Sequence, residues 1–371
     1  MALINCPACG SDVSSDAPAC PKCGHPIASA NKTSKKLSCG WWLVIIVAII
    51  WIFGFLIPEY GGSTSISGGN SSGNGSSSYS ESVLYRFRGG SDGADPSGSL
   101  IMDSAGNLYG TTANGGRSGC PNGCGVVFKL APDGSGGYTE STLYRFRGGS
   151  DGAYPSGSLI MDSAGNLYGT TTHGGNRYGD GVVFKLAPDG SGGYTESVLY
   201  RFRGGRHAAT PFGRLIMDGA GNLYGTTSGG LRSLSSRCPN GCGVVFKLAP
   251  DGSGGYTESV LYRFRGGSDG DNPSGSLIMD SAGNLYGTTD GGLRSRCPSN
   301  GCGVVFKLAP DGSGGYTESV LYRFRGGSDG DNPSGSLIMD SAGNLYGTTG
   351  GGGIQSFDHS GCGIVYEIRR H

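Results

Sequence analysis

Short stretches in which apolar residues alternate with polar or small residues recur along most of the chain. In the first copy these stretches are Ser99–Asp103, Asn107–Thr112, Gly125–Leu130 and Tyr138–Phe146. Each is rich in β-branched, aromatic or aliphatic residues, and each is bounded by the Gly, Asp and Ser residues that favour turns. No stretch of ten residues within the repeats shows the period of an amphipathic helix. The pattern therefore predicts four consecutive short β-strands.

The four-strand unit recurs five times. The string LYGTT, which marks its second strand, begins at Leu108, Leu167, Leu223, Leu285 and Leu345, at spacings of 56 to 62 residues. Units of this size, repeated in tandem, are typical of folds in which neighbouring units bury each other's apolar faces. We therefore predict an all-β domain, a five-bladed β-propeller of four-stranded antiparallel blades. An open β-solenoid is the alternative, although its coils are usually much shorter.

The order of strands at the two ends of the repeat region predicts how the ring closes. An outer-strand sequence, Val83–Phe87, precedes the first copy, and the last copy ends on a third-strand sequence, Ile364–Ile368. Because a hairpin turn joins these two kinds of strand in the other copies, we predict that the two segments pair antiparallel and complete the fifth blade. Pairing would cover two sheet edges that otherwise invite aggregation. The propeller is thus expected over residues 81–370.

The repeats resemble a known family. The motif GNLYGTT, followed by a Gly-rich loop and then GVVFKL, is similar to the Gloeo-Verruco tandem repeat of bacterial surface and secreted proteins. The motif occurs at Gly106–Thr112, Gly165–Thr171, Gly221–Thr227, Gly283–Thr289 and Gly343–Thr349. The resemblance spans about residues 80 to 370 and implies an extracytoplasmic, propeller-like domain. It implies no catalytic residue.

The N-terminal segment, residues 1–30, carries a different chemistry. Cys6, Cys9, Cys20 and Cys23 form two Cys-Pro-x-Cys-Gly knuckles. Four thiolates at this spacing predict a closed tetrahedral site for one structural Zn²⁺, and the segment resembles short bacterial zinc ribbons. Metal binding would supply the folding energy of a segment too short to build a core. Redox-active or disulfide-bonded dithiols are the alternative.

A single membrane span is predicted between the zinc ribbon and the repeats. Residues 31–40 form a basic linker, and residues 41–57 read WWLVIIVAIIWIFGFLI, without a charge. This run reaches the lower limit for a transmembrane helix, about 17 residues. Lysines precede it, so we expect a cytoplasmic N-terminus and an extracytoplasmic propeller at the bacterial cell membrane. A signal peptide and a buried core helix are the alternatives. The Gly- and Ser-rich residues 58–80 are expected to be a flexible linker.

Cysteines within the repeats come in close pairs, for which we predict local disulfides: Cys120 with Cys124, Cys238 with Cys242, and Cys297 with Cys302. The second copy has Asn176 and Asp180 at the matching positions, so both cysteines are missing together, as expected of bonded partners. The chain thus combines cysteines typical of disulfides, in the repeats, with cysteines typical of a metal site, near the N-terminus. Because these two kinds of cysteine rarely occur in one compartment, the combination indicates that a membrane separates the two groups. Cys39 and Cys362 are single, and Cys362 is expected to be a free thiol.

The long loops before the first strand and after the second strand of each unit are expected to share one face of the propeller. An Asp-Gly pair recurs in the first loop, and its carboxylates, candidates for binding a cation or a sugar hydroxyl, belong to Asp92, Asp151, Asp269 and Asp329. A turn that satisfies its own backbone is the favoured interpretation of this pair. Another recurrent aspartate precedes the first hairpin turn and should accept backbone amides there; its copies are Asp103, Asp162, Asp218, Asp280 and Asp340.

Composition and charge narrow the function. The 28 basic and 28 acidic side chains balance, and no basic stripe suggests a nucleic-acid partner. An asymmetric catalytic site would use residues that differ between copies, and these contain no nucleophile motif or metal triad: His173, Asp180, His207, Asp358 and His359. We expect a non-enzymatic, membrane-anchored interaction or adhesion module for an unknown protein or glycan. The alternatives are a lectin-like propeller with repeated sugar sites and, less favoured, a glycoside-active enzyme.

Overall fold

The computed structural model describes residues 3–5, 12–14, 80–116, 119–204, 208–230, 238, 241–292, 302–353 and 362–370. The chain divides into two compact units, Met1–Ser78 and Tyr79–His371. In the first unit, β1 (Leu3–Asn5) pairs antiparallel with β2 (Asp12–Ser14). Within the described ranges no helix is long and apolar enough to cross a membrane. The predicted span, residues 41–57, lies outside them.

The second unit is a five-bladed β-propeller whose blades are antiparallel meanders. Blade 1 contains β3 (Ala94–Met102), β4 (Leu108–Asn114), β5 (Val126–Pro132) and β6 (Tyr138–Arg145). Blade 2 contains β7 (Ile160–Met161), β8 (Leu167–Thr171), β9 (Val182–Pro188) and β10 (Tyr194–Arg201). Blade 3 contains β11 (Ala208–Met217), β12 (Leu223–Gly230), β13 (Val244–Pro250) and β14 (Tyr256–Arg263). Blade 4 contains β15 (Ile278–Met279), β16 (Leu285–Thr289), β17 (Val304–Pro310) and β18 (Tyr316–Arg323), and blade 5 contains β19 (Ile338–Met339), β20 (Leu345–Thr348) and β21 (Val365–Ile368). The predicted repeat number is confirmed, and blades 1 to 4 contain the four predicted strands.

An aspartate organises the first hairpin turn of every blade. In blade 1, Oδ1 of Asp103 accepts the backbone amides of Ala105 and Asn107, each at 2.9 Å. Its Oδ2 accepts the Asn107 side-chain amide at 2.7 Å and the Tyr109 hydroxyl at 3.0 Å. Burial alone would raise the pKa of this carboxyl, but the hydrogen bonds outweigh burial and the pKa lies below its ordinary value. The expected structural role of this recurrent aspartate is therefore observed.

The core lies between adjacent blades. The phenylalanine that follows each outer strand meets an aromatic ring of the next blade edge-on, at centroid distances of 4.9 to 5.2 Å: Phe146–Phe184, Phe202–Phe246, Phe264–Phe306 and Phe324–Tyr366. The glycine of LYGTT leaves room for the ring within its own blade, because a Cβ on Gly110 would lie 2.6 Å from the Phe128 ring. Four layers of this kind join the five blades.

The seam between blades 5 and 1 differs from the other four, and here the predicted ring closure is wrong. The fifth sheet has three strands, with β21 at its edge, and Val83–Phe87 forms no strand. Val365 is 80 % exposed, whereas the equivalent Val127 is fully buried. Phe87 nevertheless packs edge-on against Phe128 of blade 1, at 4.9 Å, as Phe146 packs against Phe184. The seam is therefore open in this structure.

Contacts with blade 1 hold Val83–Phe87 in place without β21. Tyr85 donates to Asp92 at 3.0 Å as Tyr144 does to Asp151, and Phe87 meets Phe128 as Phe146 meets Phe184. The segment therefore keeps the blade-1 contacts of an outer strand and lacks only the ladder to β21.

Candidate functional site

The two ends of the propeller are built differently. We call the end that carries the loops before the first strand and after the second strand of each blade the loop face. The tight hairpin turns, such as residues 103–107 and 133–137, lie at the other end, which we call the turn face. The two kinds of loop are joined on the loop face, where Gly116 and Gly175 donate backbone hydrogen bonds of 2.8 Å to Gly90 and Gly149. The long loops thus share one face, as the sequence predicts.

The recurrent Asp-Gly aspartates of the loop face point into the protein. Oδ2 of Asp92 accepts the Arg88 amide at 2.9 Å and the Tyr85 hydroxyl at 3.0 Å, while Oδ1 accepts the Gly90 amide at 3.2 Å. Asp92, Asp151 and Asp269 are 8–9 % exposed, and Asp329 makes the same contacts with its own loop and tyrosine. The geometry matches the turn interpretation of these residues, because their oxygens already have partners.

Local disulfides stiffen the loop that follows the second strand of a blade. Cys120 is bonded to Cys124 and Cys238 to Cys242, with Cα atoms 5.3 and 5.2 Å apart. Cys302 is also disulfide-bonded, and Cys297 lies outside the described residues. Cys362 is exposed and free. Short disulfide loops and the hydrogen bonds between the two loops give this face a rigid backbone.

The second cysteine of each pair also connects neighbouring blades. The Cys124 carbonyl accepts the Tyr154 amide at 2.9 Å, and the Cys242 carbonyl accepts the Asn272 amide at 2.8 Å. In blade 2, which lacks the cysteines, the backbone carbonyl of Asp180 accepts the equivalent hydrogen bond from the Thr210 amide, at 2.8 Å. The same contact at four seams holds in place the segment that contains or leads into the following inner strand.

These four residues and the equivalent Asp95 of blade 1 have strained backbones. Five non-glycine residues have φ between 55° and 59°, and each precedes a proline: Asp95, Tyr154, Thr210, Asn272 and Asn332. Side chains rarely adopt this left-handed conformation, which costs about 1–3 kcal/mol unless surrounding contacts impose it. The equivalent position in every blade therefore presents a side chain from a constrained backbone.

Three blades use this position differently. Asp95 accepts a 2.6 Å hydrogen bond from Asn114, and the Tyr154 ring meets the His173 ring edge-on at 5.3 Å. Asn272 donates to Asp290 at 3.1 Å, and burial raises the pKa of that carboxyl. We call these sets the blade-specific pairs. Sequence variation between copies could have revealed these pairs. It occurs at the residue before the proline and in the two residues after LYGTT.

A cavity of about 640 Å³ lies where the inner strands of all five blades converge. Its walls are aliphatic side chains and serines, with one charged residue, Arg214. The serines occupy the same position of the repeat in four blades, within β3 or two residues before β7, β15 and β19: Ser99, Ser158, Ser276 and Ser336. Among the described residues that line this cavity there is no Asp or Glu.

The remaining candidate residues do not form a described site. His173 packs against Tyr154, and Asp180 accepts a 3.4 Å hydrogen bond from Asn176. Three other candidates, His207, Asp358 and His359, lie outside the described residues, as do the predicted zinc ligands Cys6, Cys9, Cys20 and Cys23. Among the described residues no group of three or more His, Cys, Asp or Glu could hold a metal ion.

Tandem four-stranded units, a shared loop face and a central cavity define a repeat protein of the β-propeller class. The chain belongs to the Gloeobacter/Verrucomicrobia repeat family, whose model matches residues 62–236 and 233–371. A zinc-ribbon domain model matches residues 2–27. No curated protein matches the chain.

Several solved structures are similar at low identity. A gluconolactonase from Xanthomonas campestris has 18 % identity and a TM-score of 0.41, with 74 % of this chain and 77 % of that chain covered. PorZ, a surface component of the type-IX secretion system of Porphyromonas gingivalis, has 14 % identity and a TM-score of 0.40, with 73 % and 36 % covered. A GH43_1 enzyme from Xanthomonas citri, complexed with xylotriose, has 11 % identity and a TM-score of 0.36, with 75 % and 87 % covered.

Proposed function

We propose that the chain is a membrane-anchored, extracytoplasmic interaction or adhesion module that binds a macromolecular partner through its loop face. The observation that carries this proposal is the set of blade-specific pairs. Unlike side chains stand at one repeated backbone position, on loops held by hydrogen bonds and disulfides. Rigid loops that display varied side chains are suited to recognition, because little conformational entropy is lost on binding.

The distribution of sequence variation favours a protein partner over repeated sugar sites. The third strand reads VVFKL in four of the five copies, so the framework is nearly constant. The pairs differ, with Asp95–Asn114 in blade 1, Tyr154–His173 in blade 2 and Asn272–Asp290 in blade 4. A lectin with equivalent sites would need equivalent side chains at equivalent positions. The unlike pairs form one heterogeneous surface instead.

A non-catalytic role is part of the proposal. The recurrent carboxylates on both faces stabilise turns, as with Asp92 on the loop face and Asp103 on the turn face. A carboxylate that already accepts several backbone amides is held in its ionised form and is poorly suited to act as a general acid. We therefore assign these carboxylates a structural role in the turns.

The N-terminal unit is proposed to hold one structural Zn²⁺ through Cys6, Cys9, Cys20 and Cys23. The zinc-ribbon match supports this assignment. So does the β1–β2 pairing, in which Asn5 lies opposite Asp12, because the first Cys-Pro-x-Cys-Gly knuckle falls in the segment that joins these strands. Thiolates are the ligands that structural zinc prefers. Residues 41–57 are proposed to anchor the chain, on the evidence of their composition.

Substitutions borrowed from other copies test the loop face. Asp95, Tyr154 and Thr210 are changed to Asn, which blades 4 and 5 carry at this position. The matched control changes Ser104, Ser163 and Ser281 of the turn face to Gly, which blade 3 carries as Gly219. Beads coated with each protein are counted on bacterial and host cell surfaces and on a glycan array.

Wild type and the turn-face control should adhere equally, whereas the loop-face variant should lose about tenfold or more in adhesion, as expected when interface anchors are removed. Equal adhesion by all three proteins would contradict the proposal. Capture of one sugar class by both variants would favour the lectin alternative.

A further inference from the structure

One residue that lines the central cavity departs from the repeat pattern, and the proposed role of the loop face does not account for it. In blade 3, Arg214 of β11 stands where the other four inner strands carry a serine. The Arg214 side chain is exposed to the cavity. The one ion pair among the described residues joins Arg369 to Glu367. Arg214 therefore places a permanent positive charge in a cavity whose described lining residues include no carboxylate.

We propose that this cavity is a second binding site, separate from the loop face, for an organic anion with an apolar body. Arg214 would bind the anionic group, and the aliphatic walls would contact the rest of the ligand.

The serines add hydrogen-bond donors to the same cavity. Ser276 Oγ accepts the backbone amide of Arg214 at 2.9 Å, and Ser158 Oγ accepts that of Ser99 at 2.7 Å. Each hydroxyl uses its oxygen to join two blades, and its own hydrogen can donate to a ligand. A guanidinium and hydroxyl donors without a neighbouring carboxylate select a carboxylate, sulfate or phosphate group.

The walls select the rest of the ligand. Ile216, Ile278 and Ile338 contribute aliphatic surface from three different blades. A volume of about 640 Å³ falls in the range of small-molecule sites. An inorganic anion would leave these walls in contact with water. An anion that carries a hydrocarbon chain or ring would contact both Arg214 and the aliphatic walls.

Calorimetry on the full chain in lipid nanodiscs tests the site, with empty nanodiscs as the blank. The probes are phenylacetate and 4-phenylbutyrate, the neutral isostere phenylacetamide, and inorganic phosphate. Arg214→Ser restores the residue of the other four blades, so it should preserve the fold, which thermal melting checks. Arg263→Ser, an exposed arginine on the outer strand of the same blade, is the matched control.

At least one aryl carboxylate should bind one per chain, and phenylacetamide and phosphate should bind about tenfold more weakly or less. Arg214→Ser should weaken carboxylate binding by about tenfold or more, and Arg263→Ser should leave it unchanged. The proposal is overturned if neither carboxylate binds, if the amide or phosphate binds equally well, or if Arg214→Ser retains full affinity. None of these outcomes depends on adhesion through the loop face.

Discussion

The hydroxyl of Tyr200 donates a 2.8 Å hydrogen bond to Oε2 of Glu258 in the next blade. The equivalent Tyr144 and Tyr262 donate instead to the loop aspartates Asp151 and Asp269, at 3.0 and 3.1 Å. In the third copy the sequence has a histidine in place of that aspartate. A change of one loop residue thus accompanies a change of partner across a blade interface.

This difference should be measurable as coupling energy. In a double-mutant cycle, Tyr200→Phe with Glu258→Gln should show a coupling of about 0.5–3 kcal/mol, because the two groups are bonded directly. The matched cycle, Tyr144→Phe with Glu196→Gln, should give a smaller value, since Tyr144 donates to Asp151. Urea denaturation provides the free energies of unfolding. Equal couplings in the two cycles would show that the change of partner has no energetic consequence.

One interface glutamate, Glu196, makes stability depend on pH. Burial, and then the negative charge of Asp151, raise the pKa of Glu196 from 4.5 to about 7. Its Oε1 is buried without a hydrogen-bond partner. The folded protein therefore holds this proton more tightly than the unfolded chain does, and the stability gained from it is lost as the pH rises from about 4.5 to 7.

Glu196→Gln should flatten the fall in unfolding free energy over this pH window. Melting curves measured from pH 4.5 to 8 would show the change. Glu81→Gln, at an exposed position before the first blade, is the control and should leave the profile unaltered. An identical slope for wild type and Glu196→Gln would rule out Glu196 as the group responsible.

The open seam can be tested with two equivalent valines. Val305 of blade 4 is fully buried, whereas Val365 of blade 5 is 80 % exposed. Replacing Val305 by Thr buries a hydroxyl and should cost about 1–3 kcal/mol. Val365→Thr should stay within about 0.5 kcal/mol of wild type, as is usual for surface changes. If the two substitutions cost the same, the seam is closed in solution.

One zinc ion per chain is expected in the full-length protein. Elemental analysis should find it in wild type and in Cys39→Ser, whose cysteine lies outside the two knuckles. Cys20→Ser should lose most of the metal, because three thiolates leave a tetrahedral site incomplete. A folded, metal-free N-terminal segment, or a native disulfide among its cysteines, would refute the assignment.

The orientation in the membrane is testable with protease. The lysines before residue 41 predict that the propeller lies outside the cytoplasm. Protease added to intact spheroplasts should degrade residues 80–371 and leave the N-terminal segment protected. Permeabilised cells are the control, in which both parts should be degraded. Protection of the repeats in intact spheroplasts would reverse the proposed orientation.

Local features of this protein followed from its sequence. Asp103 precedes a turn whose amides lie two and four residues away, so nearby residues alone decide its hydrogen bonds. The same holds for the Cys120–Cys124 disulfide, with a separation of four residues, and for the alternation that defines each strand. Such interactions depend on chain geometry over a few residues, which the sequence shows directly.

Contacts between blades were decided only by the tertiary structure. Tyr200 and Glu258 are 58 residues apart, and the cavity collects side chains from all five inner strands around Arg214. The predicted closure was wrong for the same reason: the hairpin pattern shows which strands can pair, but not that Val83–Phe87 keeps its contacts on blade 1 while β21 stays unpaired at its outer edge. These outcomes depend on how whole blades pack against one another, and side-chain contacts across the seams decide that packing.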